Sequence, residues 1–262
     1  MPRVILLLLF IFSVSAYGAP PSILYRSVME SPDVVKQTGG FLPRGMDGTR
    51  PNQPPPDISL FNHVNGAETG LARHDAGYVS TTESLTVAHS WVNNNLAGVG
   101  YIYYIQPTGN FIDVNGTLRQ FSPYSGEMEY ASLGMIRWQQ IRGWREVSFG
   151  VQQEYVPNRD YNPSLYALSH AGGIEPQLAG FPPDHVGWSL EPWRGFGGCV
   201  LESSLKRSVL TENSNCIPVK TAQEAGSEYY YQYWGKFVVR VLFILDLQSH
   251  SDEDTREPHD EL

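Results

Sequence analysis

Apolar and polar positions along this chain change period at definable points, and those changes mark its elements. At Tyr78–Thr82 (YVSTT) β-branched and aromatic residues follow Ala76 and Gly77, which predicts a strand. The period then shifts: Leu85, Ala88, Trp91 and Val92 share one helical face, with hydroxyls at Thr82 and Ser84 to cap its start. Gly100–Ile105 (GYIYYI), ended by Pro107 and Gly109, predicts a second strand, and WREVSF at 144–149 a third. Residues 44–57 hold four prolines and two glycines, so a loop is expected there, of the kind that serves as a movable lid. Residues 222–247 lack proline and carry Tyr230, Tyr233, Trp234, Phe237, Val238, Val241, Leu242 and Leu245 at helical spacing, despite Gly226 and Gly235. That predicts a long helix with a broad apolar face. It either docks on a partner or packs on its own domain. Residues 25–198 read as one globular unit, with no internal repeat.

Composition narrows this to a loop-rich fold with strands. The 262 residues include 25 glycines and 19 prolines, 12% aromatic side chains and 41% hydrophobic ones, which excludes wholesale disorder and disfavours a helical bundle. A net charge of −9 disfavours a nucleic-acid partner, whose phosphates would be repelled at long range.

The two ends read as addresses. Arg3 precedes an apolar run at 4–14 that is too short to span a bilayer comfortably, and Ala16-Tyr17-Gly18 offers a cleavage site. A signal peptide over 1–18 is therefore expected. The last residues, His259, Asp260, Glu261 and Leu262, form an HDEL retrieval signal. Together they suit either a resident of the endoplasmic reticulum or a toxin that borrows the host's retrieval receptor. Export favours pairing of the two cysteines, Cys199 and Cys216, over two separate thiols. The loop they would close contains Lys206 and Arg207, a basic pair suited to proteolytic activation by a trypsin-like protease.

Glu127-Met128-Glu129 carries the main chemical signal. In an extended segment residues two apart share a face, so both carboxylates can enter one cleft and acquire different protonation tendencies. Arg26 offers a planar fork for phosphate or carboxylate. Ser80, Thr81 and Thr82 offer hydroxyls able to orient a carboxylate; His63 and Arg73 are further candidates, each also readable as structural or as surface charge. There is no G-x-G-x-x-G after a strand, no P-loop, no H-E-x-x-H and no G-x-S-x-G, and two cysteines do not make a structural zinc site. No metal is expected.

These strings, in this order, resemble the A subunits of heat-labile enterotoxin and cholera toxin, the AB5 ADP-ribosylating toxins. Tyr25-Arg26 is similar to the family's opening Y-R, and GGFLPRG at 39–45 to its GG-x-x-PRG segment. NHVNG at 62–66 with Thr69, Gly70 and Arg73 resembles its D-H-A-R-G…T-G…R stretch, and Gly77 to Thr81 its G-Y-V-S-T strand. FSPY at 121–124, the Glu127/Glu129 pair and Leu133-Gly134 match its Y-S-P…E-x-E…L-G block, and AGFPPDH at 179–185 with Trp188 and EPW at 191–193 its later string. The resemblance implies an α+β ADP-ribosyltransferase fold, a loop-rich β core with flanking helices followed by a long C-terminal helical tail. It implies an A1 domain at 19–207 and an A2 linker, helix and tail at 208–262 that threads a homopentameric B subunit. It also implies NAD⁺ as co-substrate, with ADP-ribose moved to an arginine on the host stimulatory G protein alpha subunit, raising cyclic AMP. A host ADP-ribosylation factor and the KDEL/HDEL receptor would be further partners, and the secreted chain would reach the host endoplasmic reticulum and then the cytosol. Glu129, Glu127, Ser80 and Arg26 would be catalytic; Arg26, His63, Arg73, Ser80, Thr81 and Glu129 would contact NAD⁺. After Arg26 the family continues A-D-S-R-P-P where this chain has SVMESP, so Val28 and Glu30 replace an acid and an arginine.

Overall fold

A computed structural model describes residues 19–48, 55–66, 74–200 and 215–234. The expected signal segment, Arg73, Lys206, Arg207 and the terminal His259, Asp260, Glu261 and Leu262 lie outside the described residues, as do 49–54 of the proline-rich loop.

The chain opens with β1 (Leu24–Val28), α1 (Pro32–Gln37) and β2 (Gly40–Phe41). Next come α2 (Leu60–Asn65), β3 (Tyr78–Thr82), α3 (Leu85–Asn95), β4 (Gly100–Ile105), β5 (Phe111–Asp113) and α4 (Val114–Leu118). β6 (Glu129–Leu133), β7 (Ile136–Arg137), β8 (Ile141–Ser148) and β9 (Val151–Pro157) follow, then α5 (Pro163–Tyr166), β10 (Gly197–Val200), β11 (Asn215–Pro218) and α6 (Ala222–Trp234). Seven strands form one sheet in the order β5-β6-β3-β1-β4-β8-β9, and every neighbouring pair is antiparallel.

That sheet has a seam. β1 meets β4 over five register pairs and β3 meets β6 over five, but β1 meets β3 at Tyr25↔Thr82 alone. Two half-sheets therefore diverge from a single point, and they close on a shared core of Leu24, Val79, Tyr103, Phe111, Ile136 and Ile141. Each half carries its own helix. α3 lays Ala88 and Val92 on Ile102 and Val147 of the β4–β8 side. α2 lays Leu60 and Val64 on Tyr78, Ala131 and Leu133 of the β3–β6 side. Period two explains the division: in β4, Ile102 and Tyr104 face α3 while Tyr103 and Ile105 face the shared core.

The patterned elements formed where expected, with three adjustments. α3 starts as read, with the Ser84 hydroxyl accepting from Val87 N–H at 3.3 Å, but it buries only a narrow stripe and leaves Trp91 at the surface. The third strand begins earlier and stops at Ser148; Phe149, at φ 51°, takes the hairpin tip and is 95% exposed. The C-terminal helix begins at Ala222, closed by a reciprocal cap in which Thr221 N–H donates to the Glu224 carboxylate at 2.8 Å and Glu224 N–H to the Thr221 hydroxyl at 3.2 Å. Of the two readings for this helix, its described turns follow the second. Ala225, Tyr229 and Tyr230 join the core beside α2, and the Tyr229 hydroxyl donates to the Gly109 carbonyl. Residues 235–247 lie outside the described residues.

Candidate active site

The seam gathers the chemistry. Where β1 and β3 part, the Ser80 carbonyl loses its place in the ladder, and the Arg26 side chain fills in: Nη1 donates to that oxygen at 2.7 Å. The guanidinium lies over the Phe41 ring, 5.2 Å from its centroid. Burial pulls the Arg26 pKa down to about 10, with Glu30 and Glu129 pulling the other way and Arg44 adding to the fall, so it is still a cation at neutral pH.

β3 and β6 bring the remaining groups. Thr82 sits opposite Glu129 and Ser80 opposite Ala131, so Tyr78, Ser80 and Glu129 share the face covered by α2. α2 is anchored at its start by the Ser59 hydroxyl, which accepts from Asn62 N–H, and by Asp57, which accepts from Ser59 N–H and Asn62 Nδ2. The helix thereby presents His63, whose Nε2 lies 3.0 Å from Glu129 Oε1 and 3.2 Å from the Ser80 hydroxyl. The imidazole packs beside Tyr78, with ring centroids 5.3 Å apart, and Tyr78 is pinned in turn by its hydroxyl to the Ile58 carbonyl.

Glu129 is 8% exposed. Burial alone would push its carboxyl up; the charge and hydrogen bond of His63, the Ser80 hydroxyl and the Arg26 charge outweigh that and hold it below the ordinary carboxylate value. Glu127 goes the other way. Half-buried, it is raised by loss of water and by the Glu129 charge, with His63 opposing. Two neighbouring carboxylates are thus pushed apart, one kept anionic and one more ready to hold a proton.

How the two carboxylates meet differs from the strand-face reading. Glu127 ends a single turn of 3-10 helix, Ser125–Glu127, and Met128 is left-handed at φ 47°, ψ 47°; only Glu129 is in a strand. The turn, rather than period two, sets their juxtaposition. Thr81 is a second correction. One residue on from Ser80 it points to the other face, and its hydroxyl donates to the Tyr130 carbonyl at 2.5 Å, so it is not brought to Glu129. Arg26, His63, Ser80, Glu127 and Glu129 do come together. Arg73 lies outside the described residues.

A family model described as heat-labile enterotoxin alpha chain matches residues 3–255. The chain belongs to the heat-labile enterotoxin alpha chain family. Among relatives of this enterotoxin chain, the heat-labile enterotoxin IIB A chain of Escherichia coli is 35% identical over 245 residues, 91% of each chain. A Vibrio cholerae protein named NAD(+)–arginine ADP-ribosyltransferase Chelt is 39% identical over 204 residues, covering 75% of this chain and 34% of that one. A solved double mutant of heat-labile enterotoxin superposes with a TM-score of 0.62 at 30% identity, over 91% of this chain and 97% of that one. The expected ADP-ribosyltransferase fold is therefore the fold of this enterotoxin chain, and its enzyme class is ADP-ribosyltransferase.

Sequence reasoning missed two supports of this enterotoxin site. Phe41, beneath Arg26, sits inside the GGFLPRG string and carries no signal of its own beyond being aromatic. Tyr78 sits inside the G-Y-V-S-T string; an aromatic two residues before the orienting serine, on the same face of a strand, was the available clue.

Proposed function

We propose that this chain moves ADP-ribose from NAD⁺ to an arginine side chain of a host protein, as the catalytic A subunit of a secreted toxin. The observation that carries this reading is the carboxylate pair: Glu129 buried and held anionic beside His63, Ser80 and Arg26, with Glu127 next to it and raised. The residues present fit NAD⁺. Arg26 Nε and His63 Nδ1 are buried with no hydrogen-bond partner among the described residues; His63 contacts Glu129 and the Arg26 charge acts on it, so polar atoms suited to a dinucleotide remain available beside the carboxylate.

In this reading the bond between nicotinamide and ribose breaks, nicotinamide leaves with the electron pair, and positive charge builds on the sugar as in glycoside cleavage. An anion fixed in a dry seam stabilises that charge better than water can, because it needs no reorganisation. Glu129 supplies the anion. The incoming guanidinium must lose a proton as its nitrogen bonds to the sugar carbon, and Glu127, with its raised affinity for protons, takes it. Arg26 braces the seam and counters phosphate charge, Ser80 orients Glu129, and His63 lines the site while holding Glu129 ionised. Each such electrostatic contribution is worth about 10²- to 10³-fold in rate.

The finer reading follows the family. The acceptor would be the host stimulatory G protein alpha subunit, with cyclic AMP rising as a result. A homopentameric B subunit would carry the chain, a host ADP-ribosylation factor would activate it, and the KDEL/HDEL receptor would bind the terminal His259, Asp260, Glu261 and Leu262. Residues 1–18 would be a signal peptide, 19–207 the A1 domain and 208–262 the A2 segment, nicked near Lys206 and Arg207. Pairing of Cys199 with Cys216 is supported by their direct register across β10 and β11 and by Cys216 being disulfide-bonded in a chain with two cysteines. Export of the family's members supports a secreted protein.

Labelled NAD⁺ with a guanidino acceptor tests the reaction. Label on the acceptor is the expected result; release of nicotinamide without labelled acceptor would instead make the chain an NAD⁺ hydrolase.

A further inference from the structure

The turn that presents Glu127 lies ahead of the β6 register pairs, which begin at Glu129. Glu127 N–H donates to the Tyr124 carbonyl at 2.9 Å and Met128 N–H to the Ser125 carbonyl at 3.3 Å, after which the chain passes through the left-handed Met128. Such a turn is held in place only by what reaches it from outside. Phe121 supplies an apolar anchor just before it, packing on Phe181, His185 and Trp193 at centroid distances of 5.1, 4.8 and 5.4 Å.

Glu83 N–H holds the far end, donating to the Met128 carbonyl at 3.2 Å, and among the described residues one polar side chain holds the stretch before Glu127. Asn115, on α4, donates from Nδ2 to the Ser125 carbonyl at 2.9 Å and accepts at Oδ1 from the Ser122 hydroxyl at 2.8 Å. The two bonds straddle residues 122–125, the stretch that leads directly into Glu127. One of them ends on the same carbonyl that Met128 N–H reaches. A carboxamide offers a donor and an acceptor side by side from one planar group. Aspartate would set an acceptor against the Ser125 carbonyl, and serine is too short to span both. α4 itself is seated by Val114 and Leu118 in the core, so Asn115 ties the turn to a seated helix without belonging to the core.

We propose that Asn115 is a positioning residue for the transfer step, fixing the Glu127 turn so that its carboxylate stays beside Glu129 where the acceptor nitrogen arrives. This rests on the reading that Glu127 takes the acceptor's proton. Asn115 touches no substrate; it acts through Ser122 and Ser125. Its loss should therefore divide two reactions of one site. Cleavage of NAD⁺ depends on Glu129, which sits in β6 and keeps all its partners. Transfer to a guanidine depends on Glu127, which is released.

The test uses the full chain with Asn115→Ala. Transfer to a guanidino acceptor is expected to fall about tenfold, the scale on which sub-ångström misplacement acts. Nicotinamide release without acceptor should stay within about twofold, with KM for NAD⁺ unchanged. Asn115→Asp, which keeps the Ser122 bond and loses the Ser125 one, should resemble Asn115→Ala. A second readout needs no turnover: carbon-13 titration of the Glu127 carboxyl. The groups facing it are Glu129 of β6 and His63 of α2. In the intact chain Glu127 should titrate above the ordinary carboxylate range and return towards that range in Asn115→Ala. Transfer and hydrolysis falling by the same factor, or a Glu127 titration indifferent to the substitution, would overturn the proposal. If the titration moves but the intact chain labels no acceptor, Asn115 positions the turn as argued and the proposed reaction is wrong.

Discussion

Replacing His63 with alanine removes the group that does most to keep Glu129 charged. The Nε2–Oε1 contact is 3.0 Å, and the two side chains are only 4% and 11% exposed, so water cannot take over the imidazole's role. Removing a hydrogen-bond partner from a buried charged group usually costs about 1.5–3 kcal/mol. Here Ser80 and Arg26 remain on Glu129, which places the loss near the lower end, about 2 kcal/mol. The pH dependence separates this from lost packing. A carboxyl held below its unfolded value, ordinarily 4.5, adds stability above that value and loses it as pH falls through the folded one. In His63→Ala the two largest lowering influences are gone, so the carboxyl shifts upward and the stabilising contribution shrinks. The stability difference between the two proteins should thus be largest near neutrality and shrink in acid, once Glu129 is protonated in both. Urea denaturation at a series of pH values measures it, with nicotinamide release followed alongside and expected to fall about 100-fold at neutral pH. A stability difference that is the same at neutral and acid pH would show that His63 only fills space beside Tyr78, and the electrostatic reasoning would be wrong.

Other substitutions bear on other parts of the account. Glu127→Gln keeps shape and removes the base, so label transfer to a guanidino acceptor should drop at least about 100-fold while NAD⁺ cleavage without acceptor persists; equal losses in both would contradict separate roles for the two carboxylates. Met128→Val places a β-branched residue at φ 47° and should cost about 1–2 kcal/mol in thermal denaturation, whereas Met128→Gly should be neutral or slightly stabilising. At Gly226 an added methyl would meet Ile58 Cγ2 at 2.3 Å, so Gly226→Ala should destabilise by about 1–3 kcal/mol although an exposed helix would gain about 1 from the same change; a gain in melting temperature would mean that α6 is not seated on this core.

Local pattern and distant contact divided what was legible. β4 could be read because both of its faces are buried and the aromatic and β-branched residues needed for that stand in five consecutive positions, Tyr101 to Ile105. β3 and the start of α3 were legible for the same local reason, a β-rich run handing over to a capped helix. The Thr221/Glu224 cap is equally local, a hydroxyl followed three residues later by a glutamate. Contacts between His63 and Glu129, 66 residues apart, and between Arg26 and Ser80, 54 apart, depend on how two half-sheets diverge. No window along the chain contains that information. Resemblance to a family could nominate those residues but could not assign partners. It also could not distinguish Ser80 from Thr81, which one step of strand period sends to opposite faces, nor see that Glu127 and Glu129 converge through a left-handed residue rather than along a strand. Trp91 and Phe149 misled for a simpler cause, since apolar side chains also occur at surfaces and hairpin tips.

Glu129→Gln is nearly isosteric and takes away only the charge that the seam is built to hold. Wild-type chain and variant should melt within a few degrees of each other, and the variant should lose at least about 100-fold in label moved from NAD⁺ to a guanidino acceptor. A correctly folded Glu129→Gln chain that retains transfer within about threefold of wild type would contradict the claim that a buried anion at this position drives the reaction.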